Sequence, residues 1–157
     1  MKIRTLSIGK TNMSFVREAI DLYNHRIGRY VKYEWEELPD VRNSNKLSND
    51  KLKMEEGKSI LKRLKPGERL ILLDEGGMQM TSVKFANWIE TGMSLNGRDI
   101  CFVIGGAYGF SSEVYEKAEM KISLSKMTFS HQIIRAIFSE QLYRAFSIIR
   151  NEPYHHA

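Results

Sequence analysis

The rhythm of apolar and polar positions changes near the middle of the chain, and each half predicts its own kind of element. In the first half apolar residues alternate or recur every three to four positions. Lys2 to Ile8 reads as a first strand, although its alternation is imperfect. Phe15, Ala19, Leu22, Tyr23, Ile27 and Tyr30 recur at helical spacing and predict an amphipathic helix from about Ser14 to Arg29. Val31, Tyr33 and Trp35 alternate with Lys32, Glu34 and Glu36, the pattern of a strand with one wet face, and Pro39 ends it. The polar run DVRNSNKLSND, Asp40 to Asp50, reads as a mobile loop. A basic helix from about Asn49 to Leu64 follows, stopped by Pro66-Gly67.

In the second half the strands become continuous apolar runs, LILLD (Leu70 to Asp74) and ICFVIGG (Ile100 to Gly106), as expected of parallel strands buried on both faces. Between them Val83, Phe85, Ala86, Trp88 and Ile89 predict a helix starting near Thr81 or Ser82. Ser111 or Ser112 is placed to cap a short helix running through Glu119. Lys121 to Ser125 reads as a short strand, and a long helix from about His131 to Arg150 leads into the tail NEPYHHA. Strands alternating with helices predict an α/β fold with a mainly parallel sheet, in one domain spanning 1–157. Such sheets bind ligands beyond the carboxyl ends of their strands. LLDEGG, VIGGAYG and SLSKMTF all fall at such ends, so three loops are expected to converge on one site.

Composition narrows the function classes. No window holds about 18 apolar residues, so no membrane span is expected, and MKIRTLSIGK lacks the apolar core of a signal peptide. The single Cys101 sits inside an apolar run and reads as a small core residue of a cytoplasmic protein. One cysteine and four scattered histidines offer no metal-ligand spacing, so no metal is expected. The net charge of +5 is uneven: residues 1 to 69 hold 16 Lys/Arg against 10 Asp/Glu, and residues 70 to 157 hold 8 against 9. This points the amino-terminal half toward a polyanion, with Lys53, Lys58, Lys62, Arg63 and Lys65 of the second helix as its expected surface; the alternative is a solvated helix face.

Gly105-Gly106-x-x-Gly109 follows a late strand, and its glycine order is not the G-x-G-x-x-G of a dinucleotide site. No G-x-x-x-x-G-K-[ST] phosphate loop is present. Paired glycines permit close approach of backbone to a flat ligand, or a plain strand-to-helix turn; the loop alone fits both. In the last helix His131, Arg135, Leu142, Phe146 and Ile149 form one stripe, with Ile133, Ile137, Glu140 and Arg144 nearly opposite. Both stripes are largely apolar, which predicts burial on two sides, one against a second copy of the chain. Glu140 and Arg144, four apart, form either an ordinary intrahelical pair or part of a site.

The start MKI-GK, the EG-ILK helix, IGG followed by G, LSKMTF–HQ–R, EQLYRAF and the terminal PYH occur in one order over nearly the full length. In this combination the chain resembles the RlmH family of SPOUT-class methyltransferases. Ser130 stands where a proline is usual before the histidine, a departure expected to loosen the helix start. The resemblance implies an S-adenosylmethionine-dependent enzyme that methylates N3 of a pseudouridine in 23S large-subunit ribosomal RNA. It also implies a homodimer, and a trefoil knot within a cofactor-binding part at about 70–157. Carried over by motif, Leu73, Gly105, Leu124, Ser125, Lys126, Met127, Thr128 and Phe129 are the expected cofactor contacts. His131, Arg135, Arg144, Tyr154 and His155 are the expected catalytic residues: histidine as a proton acceptor, arginines toward phosphate or an imidate oxygen, and Tyr154 over the base. Two other readings stay open: an RNA-binding factor without catalysis, and a small nucleotide-binding α/β protein.

Overall fold

The computed structural model describes residues 1–95 and 97–156. Its strands are β1 (Lys2–Ile8), β2 (Lys32–Leu38), β3 (Arg69–Gln79), β4 (Ile100–Ile104) and β5 (Met120–Ser123). Its helices are α1 (Ser14–Ile27), α2 (Asn49–Arg63), α3 (Ser82–Leu95), α4 (Ser112–Lys117) and α5 (Ile133–Ile149). The strands form one sheet in the order β2-β1-β4-β3-β5, and every pairing between them is parallel. The expected α/β architecture is therefore present. The Asp40–Asp50 loop contains a single 3-10 turn, Ser44–Lys46.

Alternation along the central strands assigns side chains to two cores. Ile100, Phe102 and Ile104 of β4 pack beneath α3 and α5, and Phe102 meets Phe85, Trp88 and Phe138 with ring centroids 4.9 to 6.3 Å apart. Cys101 and Val103 point to the opposite face, where Ile60 of α2 and Val114 of α4 cover them. Burial pushes the Cys101 thiol up to about 12, consistent with the inert core residue expected from sequence. Side chains of a continuous apolar strand thus feed two cores at once, which is why the second-half strands carry no polar alternation.

Two polar features tie the layers together. Arg4 of β1 is 2% exposed, and its guanidinium donates to both carboxylate oxygens of Glu68 at 2.7 and 2.8 Å and to the Arg63 carbonyl at 2.9 Å. Although burial opposes it, this pairing holds the Glu68 carboxyl below its ordinary range. The second is Arg135, fully buried on α5, the helix that packs against both α1 and α3.

The largest departure from the expected elements is β3, predicted to end at Asp74. It continues through Gly76 and Gly77 to Gln79, with a register shift against β5 between Leu73 and Met78. Gly77 permits this: a Cβ there would lie 2.6 Å from the Ile122 backbone nitrogen. The glycine pair serves strand packing at that point. Helix ends differ by one to two residues from expectation, α1 stopping at Ile27 before Gly28.

Candidate functional site

Beyond the carboxyl ends of β3, β4 and β5 lies a cavity of about 660 Å³. Its wall includes Leu73, Asp74 and Glu75 from β3, Gly105 to Phe110 after β4, and Leu124, Ser125 and Met127 to His131 after β5. The three loops expected to converge do so. Each is held by short-range bonds that follow from its sequence. The Asp74 carboxylate accepts the Gly76 N–H at 2.8 Å, closing a tight turn. The Ser125 hydroxyl accepts the Met127 N–H at 2.9 Å, and the Ser123 hydroxyl donates to the Ser125 carbonyl at 2.9 Å. Gly109 has φ +83, a conformation that favours glycine, and bridges back to Gly106.

The wall's chemistry limits what it can hold. Among the described residues on the wall there is no lysine or arginine, and the charged side chains are Asp74 and Glu75. A phosphate would find no cation, whereas a flat ligand bearing positive charge finds apolar Leu73, Leu124 and Phe129 beside two carboxylates. Gly105 adds room: a Cβ there would lie 3.0 Å from the Phe110 ring. Tyr115 donates to Asp74 at 2.5 Å, and burial together with that bond pushes its phenol up to about 12. Tyr115 and the solvent-facing Tyr108 were not singled out in the sequence: Tyr108 fills a variable position of the glycine loop, and Tyr115 lies in the short helix α4.

The expected cofactor contacts Leu73, Gly105, Leu124, Ser125, Met127, Thr128 and Phe129 all lie on this wall, as does His131. Lys126 does not; it is an exposed residue of the same loop and is absent from the wall. Ser130, expected to loosen the helix start, instead accepts the Ile133 N–H on its hydroxyl at 3.1 Å, a capping bond that proline could not supply. Gln132 then ties this end to the loop after β1, donating to the Lys10 carbonyl at 3.0 Å and accepting the Asn12 N–H at 2.8 Å.

Arg135 departs from the sequence reading. It is fully buried and absent from the cavity wall. Its guanidinium donates to the carbonyls of Ile8 at 2.5 Å, Gly9 at 2.9 Å and His131 at 3.0 Å, and to the Thr11 hydroxyl at 3.0 Å. Burial lowers its pKa, against the opposing pull of Glu37 and Asp40. In this arrangement Arg135 fastens α5 to the end of β1 and offers no donor to a ligand.

Arg144, Tyr154 and His155 form a separate cluster. Arg144 donates to Glu140 at 2.9 and 2.5 Å, lies 3.3 Å from His155 Nδ1, and has its guanidinium 4.8 Å from the Tyr154 ring centroid. Tyr154 also donates to Glu140 at 3.1 Å and packs edge-on against Tyr143. The bond to Glu140 raises the Arg144 pKa. At about 1.5 Å of rise per residue, Arg144 is about 15 Å along the helix from Ile134 on the cavity wall. One chain alone does not bring the two groups together. Among the described residues no group of three or more His, Cys, Asp or Glu is placed to hold a metal ion, and no helix is long and apolar enough to cross a membrane.

Comparison with known proteins bears on this arrangement. The family model described as "Predicted SPOUT methyltransferase" matches residues 1–155. A protein of Parabacteroides distasonis named "Ribosomal RNA large subunit methyltransferase H" is 51% identical over 156 residues, 99% of each chain. One of the same name from Flavobacterium johnsoniae is 47% identical over the same span, again 99% of each chain. Among solved structures, a methyltransferase from Legionella pneumophila in complex with SAM superposes with a TM-score of 0.52 at 14% identity. That match covers 92% of this chain and 66% of that one, a likeness of fold.

Proposed function

The chain belongs to the SPOUT methyltransferase family, and we propose that it methylates N3 of a pseudouridine in 23S large-subunit ribosomal RNA, acting as a cytoplasmic homodimer. The observation that carries this reading is the single cavity enclosed by the three strand-end loops. Its cation-free wall and backbone-rich glycine loop fit S-adenosylmethionine and do not fit a nucleotide phosphate. The names of the full-length relatives support ribosomal RNA as substrate. The alternative of a small nucleotide-binding protein loses its support in the same wall.

When bound, S-adenosylmethionine supplies the methyl group. Leu73, Leu124 and Phe129 would cover the flat faces of that cofactor, the Gly105 backbone would approach its edge, and Asp74 and Glu75 would favour its positive charge. His131, on the cavity wall, would accept or relay the N3 proton. Arg144, Tyr154 and His155 would meet the target base at the partner's cavity, because about 15 Å of helix separates them from their own. The half-exposed face of α5, with Ile133, Ile137 and Arg144, is the surface on which a second copy would pack. The trefoil knot is inferred from membership of the family; residues 124–132 leave the edge strand β5 and end bonded to the loop after β1. We take 1–157 as one SPOUT domain, with 70–157 as its cofactor-binding part.

Transfer of labelled methyl to large ribosomal subunits lacking the modification, mapped by mass spectrometry, tests the reading. A single methylated pseudouridine in 23S RNA is the expected result. Cofactor uptake without transfer would leave a binding protein, and methyl on another nucleotide would overturn the substrate.

A further inference from the structure

The edge of the molecule opposite the cofactor cavity has an opening of its own, about 620 Å³, that the methyl-transfer reading does not use. It lies where α1 and α5 end, and its wall is Arg26, Arg29, Tyr30, Tyr143, Arg150 and Glu152. Three guanidiniums therefore face one crevice. None of them has an ion-pair partner among the described residues; the Glu152 carboxylate is taken by the Tyr30 hydroxyl at 2.5 Å. The basic helix α2 differs. There Lys53 pairs with Asp50 at 3.4 Å, Lys58 with Glu55 at 2.8 Å, and Arg63 with Glu36 at 2.9 Å. Much of the positive charge of α2 is matched within the chain, whereas the crevice sets three guanidiniums against the one Glu152 carboxylate and keeps a net positive charge.

Cations at helix carboxyl ends also complement the helix dipole, which accounts for Arg26 in the last turn of α1 and Arg150 at the end of α5. Three charges around a walled opening exceed that need. Their setting is aromatic as well: the Arg26 guanidinium lies 5.3 Å from the Tyr143 ring centroid, and Tyr30 stands 6.2 Å from Tyr143. Tyr30 is itself stacked on Phe146 with ring centroids 5.6 Å apart, so these rings brace the arginines, and guanidiniums take phosphate oxygens in a forked geometry. Tyr143 continues directly into the tail cluster, with the Tyr154 ring 4.7 Å away. A strand held in the crevice would run on toward the residues proposed to meet the target base.

We propose that this crevice grips the sugar-phosphate backbone of the RNA substrate next to the target loop, with Arg26, Arg29 and Arg150 on phosphates. The proposal rests on the ribosomal RNA methyltransferase reading and assigns to it a docking site beyond the cofactor cavity. Backbone contacts position without reading sequence, so the crevice contributes binding and not turnover.

The test compares wild type with Arg26→Glu/Arg29→Glu/Arg150→Glu and with the milder Arg29→Gln/Arg150→Gln. Cofactor affinity, melting temperature and oligomeric state serve as controls. With unmodified large subunits as substrate, KM should rise at least about tenfold in the triple variant and severalfold in the double, with kcat nearly unchanged. The slope of log affinity against log salt should shrink by about 0.7 to 0.9 for each phosphate contact removed. An unchanged KM and salt slope would overturn the proposal. So would loss of the dimer on charge reversal, which would make the crevice a subunit contact. If wild type transfers no methyl to the subunits, the parent reading fails. The crevice is then judged by direct binding of 23S RNA alone, where equal affinity of wild type and variants would overturn it.

Discussion

Arg135 and Arg144 stand nine positions apart on one helix and are held in opposite ways. The partners of Arg135 are mainly backbone carbonyls from the end of β1, with the side chain fully buried. The partners of Arg144 are a carboxylate, an imidazole and a phenol ring on a half-exposed surface. Carbonyls fixed by the sheet cannot be exchanged without undoing the fold. Side-chain partners at a surface can give way to a phosphate or an imidate oxygen. The same residue type is thus committed to architecture at one end of α5 and left available at the other.

The sharpest way to break this comparison is Arg135→Ala. It removes a desolvated charge and leaves the Ile8 and Gly9 carbonyls without their donor, which should cost about 3 to 5 kcal/mol in chemical denaturation. Stability within about 1 kcal/mol of wild type, with turnover lost, would return Arg135 to the chemistry. Next in size is Arg144→Ala. Losing a charge-assisted contact of about 1.5 to 3 kcal/mol predicts a fall of roughly 10- to 150-fold in kcat, at nearly unchanged melting temperature. Equal turnover in variant and wild type would remove Arg144 and its tail partners from the reaction.

How much of this could be read in advance depended on the range of the interaction. The strands and helices were legible because burial imposes periods of two and 3.6 on neighbouring residues. The three loops were legible because strand ends in a parallel sheet are marked by glycine and polar residues. The continuation of β3 past Asp74 was not, since it depends on how closely Gly77 approaches the Ile122 backbone in a distant strand. Nor was the burial of Arg135: its bonds reach Ile8 and Gly9, at the far end of the sequence. An arginine on an apolar stripe looks the same in sequence whether it faces carbonyls or a ligand. Tyr154 and His155 were picked out through family resemblance alone, and their packing on Arg144 and Glu140 was not foreseen, because periodicity carries no information past the end of a helix.

Glu56 sharpens the comparison with the charge reversed, as a buried acid beside another acid. It is 8% exposed, and a Cβ on Gly106 would lie 2.7 Å from its Oε1. Burial, aided by the charge of Asp40, pushes its carboxyl up to about 7. The folded chain therefore holds this proton more tightly than the unfolded chain does. The contribution is present at low pH and is lost as pH rises from about 4.5 through about 7. Glu56→Gln should remove that loss and be more stable than wild type by ~1 to 3 kcal/mol at pH 8, with the advantage vanishing near pH 4. A constant difference across that range would mean that titration of Glu56 plays no part.

The smallest effect is expected on α2. Because Lys53 and Lys58 already have partners, Lys53→Glu with Lys58→Glu should raise KM for large subunits by only about two- to threefold. That is well below the effect of the crevice variants. A larger effect on α2 than at the crevice would reassign the principal RNA surface to the helix first picked out by charge.

The central claim is that the two ends of α5 serve different cavities, so that each site joins the loops of one subunit to the tail of the other. Mixing two impaired variants tests this directly: Gly105→Trp, which fills the cavity, and Arg144→Ala, which weakens the tail cluster. A shared site gives each mixed dimer one intact cavity facing one intact tail, and random assortment should restore about a quarter of wild-type methyl transfer. If mixtures stay as impaired as either parent, cavity and tail belong to the same subunit, and the account is wrong.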